Sequence, residues 1–215
     1  VRVSVDGSCA DTHDACRGDG SFLKAIQGIK SLKKYHLSVS VRVTIHQKNV
    51  SDLENIARLL LEEIELPGFS TNAASYMGLC RQNTEQTQLA VEDRSFAMET
   101  LLRLNRKYNG RISGAAGPLA EMHNWGAMEK ARQQERDRTP GGGHLTGCGG
   151  PMSKMAVRAD GVMVPCIQLS HVELGQINRD DLQEIWREHP ELKRLRLRRN
   201  TRLSEFEFCQ GCDYI

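Results

Sequence analysis

Four residues in the second half of the chain have the type and spacing to do chemistry: Cys148, Cys166, Cys209 and Cys212. Twelve residues separate Cys148 from Gly161, four separate Gly161 from Cys166, and two separate Cys209 from Cys212. Asp160-Gly161 is a hairpin turn signal between two short apolar runs, residues 155–158 and 162–165. A hairpin returns the chain on itself, so a cysteine before its first strand and one after its second fall at the same end. Gly161 supplies the positive φ of the turn. Cys209-x-x-Cys212 lets two thiolates face one centre from a single turn. Four thiolates suit tetrahedral zinc or an iron–sulfur cluster equally well, and spacing alone leaves both open, with no metal as a third possibility.

The chain has 215 residues and seven cysteines. Residues 1–25 lack the basic start and apolar stretch of a secretory signal, so a reducing, cytoplasmic location is expected. Cysteines there point to metal or redox chemistry more than to disulfides. A net charge of +2 gives no sign of nucleic-acid binding. No apolar run approaches the roughly 20 residues of a membrane helix, so no membrane partner is expected. The basic run 193–199 reads as a solvated helix face. The chain opens on Val1 and stops three residues after Cys212; on that basis it is expected to be a piece of a longer protein.

The elements that must position these residues alternate. Residues 1–5 and 37–46 alternate apolar with polar residues, as strands do, and residues 66–71 suggest a weaker third strand. Residues 8–20 are polar and are expected to form a loop. Helices are expected from Ser21, with Phe22, Ala25, Ile26, Ile29 and Leu32 on one face; from a capping box at Ser51-Asp52-Leu53-Glu54; and over residues 91–108. Strand–helix alternation predicts right-handed crossovers and a parallel sheet, with ligands at the carboxyl ends of the strands. Residues 109–147 read as a linker containing a helix at about 119–133. Residues 148–215 read as a small second unit with helices over 181–188 and 190–198. Its core is thin enough to need a metal or other staple.

The cysteine pattern resembles the start of the SPASM motif, the auxiliary-cluster domain of radical S-adenosylmethionine (SAM) enzymes that modify peptides and proteins. Residues 161–166, 174–177 and 182–186 are similar to that family as well. The resemblance implies that Cys148 and Cys166 ligate one auxiliary [4Fe–4S] cluster. Cys209 and Cys212 would ligate a second, with further ligands beyond Ile215. Residues 3–7, His13-Asp14, Arg17-Gly18 and residues 20–22 resemble the fourth strand and following loop of the radical SAM barrel, and residues 41–45 with Asn49 its fifth strand. By that resemblance Ser4 contacts the methionyl part of SAM, Asp6 and Arg17 are weaker candidates, and Asn72 lies by the adenine. No catalytic residue is assigned.

The implied fold class is α/β. Residues 1–108 would be the C-terminal part of a partial (β/α)6 TIM-like barrel, followed by the linker and a small α+β cysteine-rich domain. The implied enzyme uses SAM and 4Fe–4S clusters to generate a 5′-deoxyadenosyl radical. Its partners would be a peptide or protein substrate and an electron donor such as flavodoxin or ferredoxin. The piece alone is expected to be inactive, since the loop for the catalytic cluster would lie upstream of Val1. The rival is a non-catalytic zinc- or cluster-binding peptide-interaction module. Cys9, Cys16 and Cys80 read as free thiols and His13 and His123 as surface or packing residues. Met77, Met122 and Met128 read as gap-fillers, and Trp125 and Trp186 as core anchors.

Overall fold

The computed structural model describes residues 1–75, 79–134, 142–145 and 148–214. Met77 and part of the expected linker, residues 135–141 and 146–147, lie outside these. The chain divides into two compact units, Val1–Trp125 and Gly126–Ile215.

The first unit is built on four parallel strands in sequential order: β1 (Arg2–Ser4), β2 (Ser40–Ile45), β3 (Phe69–Ala73) and β4 (Ile112–Gly114). Between β1 and β2 run α1 (Ala10–Arg17) and α2 (Ser21–Lys34). Between β2 and β3 runs α3 (Leu53–Arg58), which continues as a wider helical turn over Leu59–Glu63. Two short helices, α4 (Leu79–Gln82) and α5 (Thr84–Thr87), precede α6 (Val91–Lys107), and α7 (Pro118–Gln133) follows β4. Val41, Val43 and Ile45 are fully buried on one sheet face. They pack with Ile29 of α2, Leu53, Ile56 and Leu60 around α3, and Ala97, Leu101 and Leu104 of α6. The register fixes what shares the other face: Ser4 pairs with Arg42, Arg42 with Ser70, and Thr44 with Asn72. That face is polar, and it ends at the carboxyl ends of the strands.

Several expectations are corrected. The segment 8–20 is not a loop; it contains α1. The Asp14 carboxylate ends that helix region and begins the next one. It accepts the Gly20 and Phe22 N–H groups at 2.7 and 2.8 Å and the Ser21 hydroxyl at 2.9 Å. The capping box at residues 51–54 does not form. Asp52 instead accepts the Ser8 N–H and hydroxyl at 2.7 and 2.8 Å, tying the loop after β1 to the start of α3. Strand β2 starts at Ser40, and Leu37 is exposed. Strand β4 was not expected. Trp125 is exposed, and only Trp186 packs against a core.

The second unit holds α8 (Gly150–Ser153) and a three-stranded antiparallel sheet, β5 (Ala156–Val157), β6 (Val162–Val164) and β7 (Gly175–Gln176). It closes with α9 (Leu182–Glu188) and α10 (Pro190–Leu197). The hairpin forms as its turn signal requires, and Gly161 has φ +83°. Its core is Met163, Leu174, Ile185 and Leu192, flanked by Met155, Val172 and Trp186. The basic run lies on α10, where Lys193 and Arg194 pair with Glu188 and Glu191 on the surface.

Gly175 is the tightest point of this core. Its φ is +155°, and a Cβ there would lie 2.5 Å from Ile185 Cδ1 and 2.8 Å from Asp180 Oδ2. Gly175→Ala is expected to destabilise the second unit by about 1–3 kcal/mol through overpacking. Chemical denaturation followed by Trp186 fluorescence checks this; an unchanged midpoint would show that α9 can shift to make room.

Candidate functional site at the strand ends and the cysteine turns

At the carboxyl end of β1, Asp6 is buried and every polar group it offers is engaged. Oδ1 accepts the Thr44 N–H at 2.7 Å, and Oδ2 accepts Arg17 Nε at 2.6 Å. Its backbone N–H donates to His13 Nδ1 at 3.0 Å, and its carbonyl accepts Asn49 Nδ2 at 2.8 Å. A buried carboxylate persists only when paired and hydrogen-bonded in this way. Asp6 therefore clamps β1, β2 and α1 together, and Arg17, partly exposed, neutralises it. Asn49 extends the clamp: it donates to Thr44 O at 2.9 Å and accepts the His46 N–H at 2.9 Å.

Ser4 sits at the end of β1 on the polar face, half-buried. Asn72 sits on the same face of β3, opposite Thr44. Its Oδ1 is buried without a hydrogen-bond partner, and so is Nε2 of His46, which follows β2. Buried polar atoms are normally satisfied, so two orphans at adjacent strand ends are groups that an ordered water or a polar ligand would complete. Sequence reasoning missed His46; its signal was a histidine directly after an alternating strand, at the end where ligands gather.

His13 and His46 are both buried, and burial pushes both imidazole pKa values down. Asp6 opposes the shift in each, and Asp14 also opposes it at His13. Cys16 lies with its Sγ 3.8 Å from His46 Nδ1, and burial pushes its thiol up. The two histidines are thus neutral in the folded chain. In the unfolded chain they take up protons below about pH 6.5. Stability is therefore full above that pH and falls as the pH drops from there toward the folded-state values, by up to about 1.4 kcal/mol per pH unit for each histidine. Urea unfolding at stepped pH measures the slope, and His13→Gln should reduce it. A flat profile between pH 6.5 and 5 would contradict the account.

In the second unit all four cysteines of the pattern are free thiols. Cys148 Sγ accepts the Gly150 N–H at 3.4 Å, at the start of α8. Arg196 of α10 holds that turn: Nε donates to Pro151 O at 3.2 Å and Nη1 to Trp186 O at 2.6 Å, with the guanidinium 4.2 Å from the Trp186 ring. Cys166 follows β6 in extended conformation and is half-buried. Cys209 and Cys212 sit on one turn, with the Cys212 N–H on Cys209 O at 3.2 Å. A bridge between His144 and Arg202 joins the approaches to Cys148 and Cys209. Leu145 N–H to Thr201 O and Leu203 N–H to Gly143 O, both 2.8 Å, extend it. Among the described residues no three His, Cys, Asp or Glu side chains lie close enough to hold a metal ion. The donor set, thiols on turns, is of a kind that fits zinc or a cluster, and one of the thiols already receives an N–H, the kind of contact that tunes cluster sulfurs.

Residues 148–213 match the family model of SPASM, an iron–sulfur cluster-binding domain. The chain carries a SPASM domain. The AdoMet-dependent heme synthase of Methanosarcina barkeri is 23% identical over 99% of this chain and 61% of its own length. The mycofactocin maturase MftC of Mycobacterium tuberculosis is 37% identical over 27% of this chain and 15% of its own. Streptococcus suis SuiB, solved bound to precursor peptide SuiA, superposes with a TM-score of 0.63 at 13% identity, covering 91% of this chain and 43% of SuiB. The chain thus spans less than two thirds of the length of each of these proteins. The fold is like that of SuiB: a parallel α/β sheet, not closed into a barrel among the described residues, followed in sequence by the residues that match SPASM. No helix among the described residues is long and apolar enough to cross a membrane.

Proposed function

We propose that the protein is a radical SAM enzyme that modifies a peptide or protein, working in the cytoplasm with an electron donor such as flavodoxin or ferredoxin. The observation that carries this reading is the SPASM match at residues 148–213, which contains all four cysteines of the pattern. Cys148 and Cys166 would hold one auxiliary [4Fe–4S] cluster, and Cys209 and Cys212 would contribute to a second. At the strand ends, Ser4 and Asn72 would meet the methionyl and adenine parts of SAM. Asp6 and Arg17 would act mainly by fixing the floor of that site, since both Asp6 oxygens are committed to the chain. SAM and a reduced cluster, when bound, supply a 5′-deoxyadenosyl radical that takes hydrogen from the substrate; the protein's part is to orient, shield and tune.

A peptide substrate is supported by SuiB, solved with its precursor peptide, and by the maturase name of MftC. A second reading, an enzyme of haem formation, is favoured by the heme synthase match along nearly the whole chain. Mass spectrometry of a candidate precursor peptide after anaerobic incubation with the complete enzyme, SAM and reductant separates them. Peptide modification is expected, falling about tenfold or more in Cys148→Ser or Cys166→Ser, because even outer contacts of metal sites carry that much. An unmodified peptide together with turnover of an iron porphyrin would favour the second reading.

A further inference from the structure

The second unit carries an open groove of about 560 Å³, and none of its cysteines lines it. The walls come from the end of α8, from β5 and from one face of α9. Met155, just before β5, and Val157 form one side. Leu182 and Trp186, four apart on α9, form the other. Val157 is 47% exposed and Leu182 56% exposed, so both are apolar groups facing solvent. Met155 and Trp186 are half-buried and pack on the core of the unit, and Arg196 lies against the Trp186 ring.

The rim of the groove is basic. Lys154 and Arg187 line it and are exposed, and among the described residues neither side chain has an ion-pair or hydrogen-bond partner. No acidic residue lines the groove. Elsewhere in this unit Arg158, Lys193 and Arg194 each pair with a carboxylate. The groove also has a free backbone edge. Strand β5 is the outer strand of its sheet. The Arg158 N–H donates to Val162 O at 2.9 Å, and bonds between antiparallel strands alternate. Val157, opposite Met163, therefore turns its N–H and C=O away from β6. An exposed edge of this kind is a template for a further strand.

We propose that this groove docks an extended, acidic segment of the peptide substrate. The segment's backbone pairs with Val157, one of its apolar side chains enters between Val157 and Leu182, and its carboxylates meet Lys154 and Arg187. The free edge calls for an extended chain, and the two unpaired cations call for an acidic one. A second copy of this chain fits less well, because edge-to-edge pairing would set the basic rims against each other. The inference rests on the peptide-modifying reading and deepens it, by giving the SPASM unit a part in choosing the substrate.

The test is titration of the full chain with a short synthetic peptide of alternating Glu and Leu, and with a counterpart carrying Lys for every Glu. Trp186 fluorescence in a Trp125→Phe background reports binding. The acidic peptide is expected to bind at least about tenfold tighter and to weaken as salt rises. Lys154→Glu combined with Arg187→Glu, both on exposed side chains, should reverse the preference, and Leu182→Ser should weaken the acidic peptide. Equal affinity for the two peptides, or a preference that survives the charge reversal, overturns the inference. So does self-association of the chain that Leu182→Lys abolishes, which would make a second copy the occupant. In the complete enzyme the double charge reversal should raise KM for a modified precursor peptide about tenfold. An unchanged KM overturns the docking site and leaves the peptide reading standing. Turnover of an iron porphyrin with no peptide modified overturns both.

Discussion

The first unit depends on one buried charge. Asp6 follows a strand of only three residues, and four partners converge on it: Thr44 of β2, Arg17 and His13 of α1, and Asn49 beyond β2. A carboxylate 2% exposed to solvent is tolerated only because each of its oxygens has a donor. Removing one partner would leave an uncompensated charge, which is far costlier than losing a surface ion pair. The clamp explains how a three-residue strand is held at the edge of the sheet, and why the polar strand ends stay in register with one another.

The alternation of apolar and polar residues did most of the work of making this fold legible. Val41, Val43 and Ile45 declared β2, and the 3.6-residue spacing of Leu53, Ile56, Ala57 and Leu60 declared α3 without its expected cap. Asp160-Gly161 declared the hairpin. What stayed hidden depended on partners distant in sequence. Asp52 is a good capping residue by local chemistry, but Ser8, 44 positions away, takes it. Residues 8–20 look too polar for a helix because α1 buries little beyond His13. Strands β4 and β7 are too short, at three and two residues, to show an alternation at all.

The candidate site was legible unevenly. The four cysteines stood out by spacing, and the family match confirms the domain they belong to. Ser4 and Asn72 lie on the polar face at the expected ends of their strands. Asp6 and Arg17 are drawn into the clamp, a role that spacing could not reveal. His46 carried one sequence signal, its place directly after β2, but nothing in the sequence shows that its Nε2 is buried without a partner. Arg196 was likewise lost in a basic run whose neighbours are solvated; it alone turns inward, onto Trp186 and the turn that carries Cys148.

Among the described residues the main apolar cluster of the SPASM unit has four buried side chains, which is small for its length. Bound clusters would act there as staples as well as electron carriers. The central claim is that these thiols hold iron and sulfide. Anaerobic reconstitution of the protein with iron and sulfide, followed by visible absorption and metal analysis, tests it most directly. The account predicts a brown protein with broad visible absorbance that bleaches with dithionite and is diminished in Cys148→Ser. A colourless protein that retains stoichiometric zinc through the same procedure would contradict it.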